Sequence, residues 1–421
     1  MDPGARRCQA ATRPLIGGDP HRFFRAMYDN GADDHIGPLH QHPCRQSSSS
    51  SWSPPDTTRE PAESLFTSRN HTATIGNQRG SADRAVKTII IIGCVVVVAV
   101  GGCDRTEAQT SSALRQVATI PLPGVKGRFD HFAFDPSTQR LFIAALGNNT
   151  VEVLDTATNK HLRSLSGFHE PQGIAFVSDL SAMAVANGNT GTLQLIDAQT
   201  FATRWTIDIG GDADNVRYDA GAKRVYVAAV GGLYAVDPAT GKKVGQVQID
   251  GHPESFQLET AGSRVFANLP GLIRSQVIAA DRRSMKVAAR WATQDCGGNY
   301  PMALDEMTSR LFVGCRRPAK LAMVDTRSGS FVTAVDIVGD TDDLFYDDPR
   351  RRVYVIGGDG FVDVLAREGD GMKRAGRVST RGGARTGLWV PSQSRLYVAV
   401  PERGGESAEI RVFEADNRQP R

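Results

Sequence analysis

This sequence lacks an excess of charge of either sign. Its 421 residues carry 49 lysines and arginines against 46 aspartates and glutamates, for a formal net charge of +3. The two signs are interspersed, and no basic stripe with interleaved aromatics appears, which removes nucleic acid from the expected partners. The common catalytic signatures are also missing. There is no His-Glu-x-x-His, Gly-x-Ser-x-Gly, Cys-x-x-Cys-His or phosphate-cradling glycine loop beyond residue 113, so haem attachment and the usual hydrolase chemistries have no support. Gly231-Gly232 and Gly357-Gly358 read as hairpin turns. Apolar residues are scarce over residues 1–83, where a serine run from Ser47 to Ser51 and Pro54-Pro55 stand instead. Such a stretch buries too little surface to offset its ordering entropy, and it is expected to be disordered or not translated at all. His40, His42 and Cys44 lie close together there, but without a second ligand cluster they read as a polar tail rather than a metal site.

One apolar run breaks the pattern. Arg84 and Lys87 precede Ile89 to Val100, followed by Gly101-Gly102-Cys103-Asp104. A basic start, about a dozen apolar residues and small residues before a cysteine read as a secretory signal peptide over residues 84–103. The run falls short of the roughly 20 residues a membrane-spanning helix needs. The expected translation start lies close to Val86, with what precedes it an over-extended reading frame. Val100-Gly101-Gly102-Cys103 resembles the lipobox of bacterial lipoproteins. That resemblance implies cleavage before Cys103, a lipid thioether on its sulfur, and retention on the inner membrane through Asp104, so the chain is expected on the periplasmic face of that membrane or at the cell surface. The alternative is an uncleaved anchor. Residues 104–112 are a linker and 417–421 a tail.

Cysteines are few. Cys8, Cys44, Cys94 and Cys103 precede the linker, which leaves Cys296 and Cys315 as an even pair suited to an oxidising compartment. If Leu304 faces Leu311 across a hairpin, Tyr300 comes opposite Cys315. Cys296 then sits a few residues away in a glycine-rich loop, close enough for a disulfide only if the loop curls back.

From residue 113 onward the sequence repeats. Phe132-Ala133-Phe134, a turn, Arg140-Leu141-Phe142-Ile143, a second turn and Val151-Glu152-Val153-Leu154-Asp155 alternate like antiparallel strands. The middle run recurs as Ala182–Val185, Arg224–Val227, Arg264–Ala267, Arg310–Val313, Arg352–Val355 and Arg395–Val398. The third recurs ending on Asp197, Asp237, Asp281 and Asp325, and degrades in the last two units. Seven units at a period of roughly 40 to 46 residues predict an all-β, seven-bladed β-propeller over residues 113–416. The innermost strands are expected at Phe132–Phe134, Ile174–Phe176, Val216–Tyr218, Phe256–Leu258, Met302–Leu304, Leu344–Tyr346 and Leu388–Val390. Only six outermost strands follow them in order, so Leu114–Ile120 is expected to supply the seventh by pairing with Ile410–Phe413.

Arg224-Val225-Tyr226-Val227 and Val236-Asp237-Pro238-Ala239-Thr240-Gly241-Lys242 resemble the YVTN-type β-propeller repeat proteins of bacteria. So do the loops Glu170-Pro171-Gln172-Gly173-Ile174-Ala175-Phe176 and His252-Pro253-Glu254. The resemblance covers roughly residues 113–416 and specifies architecture. That family and its relatives include binding proteins, extracytoplasmic accessory proteins and a few enzymes, so no catalytic set carries over.

Candidate function lies in the loops that lead into the innermost strands, which crowd one mouth of a propeller's channel. Asp130, Asp214, Glu254 and Asp342 hold equivalent positions there, with Arg128, Tyr300 and Arg385 alongside. Converging carboxylates favour a divalent cation or a polar ligand; no organic cofactor is expected. For catalysis the best set is His131, His169 and Glu170 on adjacent blades, with His252 farther round and too distant from His131 to share a small substrate. The reading is a monomeric binding module for a protein or small polar ligand. The alternative is a lactonase- or lyase-type enzyme at the same mouth.

Overall fold

The computed structural model describes residues 113–272 and 274–416. The segments 1–83, 84–103 and 104–112, the tail 417–421, and with them His40, His42, Cys44, Cys103 and Asp104, lie outside the described residues. Among the described residues no helix is long and apolar enough to cross a membrane.

Those residues form seven four-stranded antiparallel sheets. The first blade runs Phe132–Asp135, Arg140–Ala145, Thr150–Asp155 and Lys160–Leu165, and five more repeat its order. A local hydrogen-bond device explains the recurrent aspartates. Asp155, Asp197, Asp281 and Asp325 each accept backbone N–H groups two and three residues ahead, closing the turn into the outermost strand. The recurrent arginines face them across the sheet: Arg140 pairs in register with Asp155, and Arg310 Nη1 lies 2.5 Å from Asp325 Oδ2. The repeats that keep the aspartate thus close their own turns, and Arg224 with Asp237 and Arg310 with Asp325 add cross-strand ion pairs.

Seven apolar clusters fill the junctions between neighbouring blades, which is why both faces of a blade are apolar. Phe142, Val151 and Val153 of the first blade pack with Met183, Val185 and Ile196 of the second. At the ring's seam Ile120, Leu122, Tyr397 and Ile410 meet Leu141 and Ile143.

The seventh blade is composite. Leu114–Leu122 pairs antiparallel with Ala408–Ala415, Ile120 opposite Ile410, so the two ends of the propeller share one sheet. Its innermost strand starts one residue earlier than expected, at Gly387 rather than Leu388, because Gly387 pairs with Val398 where Phe132 pairs with Ile143. A Cβ at Gly387 would lie 2.3 Å from the Tyr397 carbonyl oxygen, so the larger residues of other blades do not fit there. Without that Cβ the apolar alternation loses its first mark, and the strand reads one residue short.

The cysteine hairpin also departs from expectation. Leu304 faces Leu311, but the register shifts between Asn299 and Met302, so Asn299 rather than Tyr300 lies opposite Cys315. A bulge of this kind inserts a residue that alternation alone cannot reveal. The curled loop brings Cys296 to a Cα distance of 5.3 Å from Cys315, and the two form a disulfide among fully buried neighbours.

Candidate functional site

The register fixes which leading-loop residues are equivalent. Phe132, Ile174, Val216, Phe256, Met302, Leu344 and Gly387 each pair with the fourth residue of the adjacent strand's repeat. Two positions earlier stand Asp130, Gln172, Asp214, Glu254, Tyr300, Asp342 and Arg385. One position earlier stand His131, Gly173, Asn215, Ser255, Pro301, Asp343 and Thr386. Backbone bonds set both layers in place: the N–H groups of Asp130, Asp214 and Glu254 donate to the carbonyls of Ala144, Ala228 and Asn268 in turn. Gly173 leaves room for this packing, since a Cβ there would come within 2.0 Å of the Asp214 carbonyl oxygen.

The four acids share the mouth but not as a bare ring of like charge. Asp130 and Asp214 are 5% and 6% exposed, and cations are built in beside most of the acids. Asp342 Oδ1 lies 2.8 Å from Arg316 Nη2, and its Oδ2 lies 3.1 Å from Arg385 Nε. Both arginines also reach Asp340, and the Arg316 guanidinium stacks over the Tyr300 ring at 3.9 Å. Burial alone would raise Asp342's pKa, but Arg316 and Arg385 outweigh it and hold the carboxyl below its usual range. Arg128 stands 3.5 Å from Asp130. Arg316 lies beyond the apolar core of its repeat, at the mouth end of Arg310–Arg317, where a mark of architecture continues into the site.

His131 is the centre of a second set. Its Nδ1 lies 3.2 Å from Asp343 Oδ1, and its Nε2 lies 3.5 Å from Asp130 Oδ1 and 2.8 Å from the Asn215 side-chain amide. Burial works to lower the ring's pKa, but Asp343 and Asp130 outweigh it and push it up to about 10. The Asn215 atom facing Nε2 is its amide Nδ2; with the ring protonated on both nitrogens the amide would turn so that Oδ1, buried without a partner, accepts from it. Asn215 occupies the position of His131 in its own blade, and that equivalence is the sequence signal that could have found it.

The third set is Asp214, His252 and Glu254, whose potential ligand atoms all lie within 4.8 Å of one another. Burial together with Glu254 and Asp130 pushes the Asp214 carboxyl well above its ordinary range. His252 is pushed up to about 10, its burial outweighed by the bond and charge of Glu254. His131 and His252 do not touch, yet consecutive residues link them: Asn215 meets the first ring and Asp214 stands beside the second.

The members of the expected set His131, His169 and Glu170 are placed as follows. His169 is exposed, and its backbone N–H donates to Asn187 Oδ1. Glu170 is placed by its own backbone N–H on Asn149 Oδ1. His131 faces Asp343 and Asn215.

No protein-family model and no curated protein matches the chain. Solved structures do. A chain of the hydrazine synthase of Kuenenia stuttgartiensis superposes with a TM-score of 0.60 at 17% identity, over 69% of this chain and 98% of that one. A chain of a mitotic checkpoint complex superposes with a TM-score of 0.62 at 13% identity, over 79% of this chain and 99% of its own length. The likeness is one of fold.

Proposed function

We propose that the protein is an exported, membrane-tethered propeller of the YVTN repeat type, whose mouth binds a protein or a small polar ligand. The observation that carries this reading is the ring of seven equivalent residues, Asp130, Gln172, Asp214, Glu254, Tyr300, Asp342 and Arg385. It sets four acids, one cation, one amide and one stacked aromatic around a single axis, and a structural ring would need no such variety. One similar chain belongs to a mitotic checkpoint complex by its printed name, which agrees with protein binding by this fold without naming a partner here.

The protonation of His131 weighs against the lactonase or lyase alternative. Asp343 and Asp130 raise the pKa of that ring, which favours its charged form over the free base that proton abstraction needs.

Binding is tested by Tyr300→Ala combined with Gln172→Ala in the full chain, against the control Met307→Ala, whose side chain is exposed in the turn between Asp305 and Arg310. The ligand or protein that co-purifies from native membranes should bind the mouth variant more than about tenfold more weakly and the control unchanged. Equal retention by both variants would place binding elsewhere.

The tether rests on the basic, apolar and small residues from Arg84 to Cys103. The Cys103 thiol would carry the thioether, so Cys103→Ser should move the protein from the carbonate-washed membrane fraction to the supernatant. Continued sedimentation would favour an uncleaved anchor.

A further inference from the structure

We propose that Asp214, His252 and Glu254 bind a divalent transition-metal ion, with the backbone of Asp212 fixing the histidine for it. This deepens the binding reading by naming what the mouth holds and how a ligand would be anchored there.

The argument starts from the imidazole. His252 Nε2 lies 3.0 Å from the Asp212 carbonyl oxygen. A carbonyl only accepts, so Nε2 carries a hydrogen and donates it. That leaves Nδ1 as the nitrogen turned toward Glu254, 3.2 Å from its Oε1. Metal-ligating histidines commonly have this arrangement, one ring nitrogen anchored on a carbonyl and the other presented beside a carboxylate. Asp212 is itself held, because Gln172 Nε2 donates to its Oδ1 at 2.8 Å.

A second, independent observation comes from Asp214. Its side chain is 6% exposed, and the arginines of the mouth pair elsewhere, Arg128 with Asp130 and Arg316 and Arg385 with Asp340 and Asp342. Among the described residues no arginine or lysine is paired with its carboxyl, which faces His252 and shares a hydrogen bond with Glu254. A carboxyl and a carboxylate held this close share a proton, and a cation that displaces it can be held by both. The three donor atoms, mutually within 4.8 Å, need only small adjustments to reach the spacing of about 3 to 4 Å found around one ion.

The donor types select the metal. One imidazole nitrogen with two carboxylates suits zinc or manganese better than calcium, which takes six to eight oxygens. The ion would replace the protons now shared by these groups, and those protons would pass to the medium. Three protein donors leave at least one coordination position for water or for an oxygen of the bound ligand.

The test uses the full chain with His40, His42 and Cys44 replaced by alanine, since those residues offer competing donors. After dialysis against a chelator it is titrated calorimetrically with zinc chloride, manganese chloride and calcium chloride in separate runs. Zinc or manganese should bind at about one equivalent and raise the melting temperature, and calcium should bind more weakly. Asp214→Asn and His252→Gln should each weaken binding by more than about tenfold. Cobalt(II) needs no further variant: bound through imidazole in a site of low coordination it should give intense visible bands, whereas the weak spectrum of the hydrated ion would overturn the proposal. Absence of saturable binding, or unchanged affinity in both variants, would also overturn it. Neither result would touch the binding reading, which is read on the co-purified ligand or protein rather than on the ion.

Discussion

A chain beginning at Gly124, without Leu114–Leu122, is expected to melt early and aggregate where a chain beginning at Asp104 stays soluble. The deleted strand contributes three fully buried side chains, Ile120 and Leu122 at the ring's seam and Leu114 against the sixth blade. Burying such side chains is worth about 1.5 to 3 kcal/mol apiece, so the three together match a good part of the roughly 5 to 15 kcal/mol that holds an ordinary domain folded. The second consequence concerns hydrogen bonding. Ala408–Ala415 now pairs on both sides, with Leu114–Leu122 and with Arg395–Val400. Without the first partner its N–H and C=O groups form an open edge that other chains can extend. The check is the melting midpoint together with light scattering at matched concentration. Equal midpoints and no growth in scattering would mean that the blade is stable with three strands and that the seam is not what closes the fold.

The second large effect concerns the buried charge on His131. Asp343→Asn keeps the shape of the side chain and an oxygen to accept the Gly387 N–H, now bonded to Asp343 Oδ2 at 3.0 Å. It removes the nearest negative charge from the ring. The wild-type ring is expected to titrate near 10, and the variant's well below that, toward the ordinary value of about 6.5. The folded-state pKa is raised, so the stability it contributes is fully present below about pH 6.5 and is lost as the pH rises through about 10. The wild type should therefore lose stability across that window relative to the variant. At pH 7 the variant should be the less stable of the two, on the order of a few kcal/mol. Ring-proton resonances followed by NMR against pH, with melting midpoints of both proteins, give the answer. A wild-type His131 that titrates near 6.5 would refute the ion pair.

That pair also limits what the mouth can do. Asp130, Asp343 and Asp214 all bear on His131, so its proton belongs to a network rather than to a single donor–acceptor bond. Charge rearrangement on one side of the mouth is felt on the other, since Asp214 responds to both Glu254 and Asp130. A ligand that neutralises one member should alter how its neighbours hold protons.

The propeller was legible in the sequence because its determinants are local. Alternation marks the strands, the recurrent aspartates close turns onto their own neighbours, and the arginines pair with them across a single hairpin. The seventh strand could be found by counting, since a ring leaves no place for an odd edge. Equivalence of Asp130, Asp214, Glu254 and Asp342 was legible too, because it follows from distance to the next strand. What needed the tertiary structure was every pairing between blades. Arg316 reaches Asp342, Asn215 meets His131 across 84 residues, and Asp214 stands beside His252. Those contacts depend on the ring's radius and on loop conformations that no single repeat contains. The two slips of one residue, at Gly387 and at Asn299, have the same origin. A missing Cβ and a bulge are decided by what the neighbouring strand leaves room for, and the period of the sequence carries no trace of that.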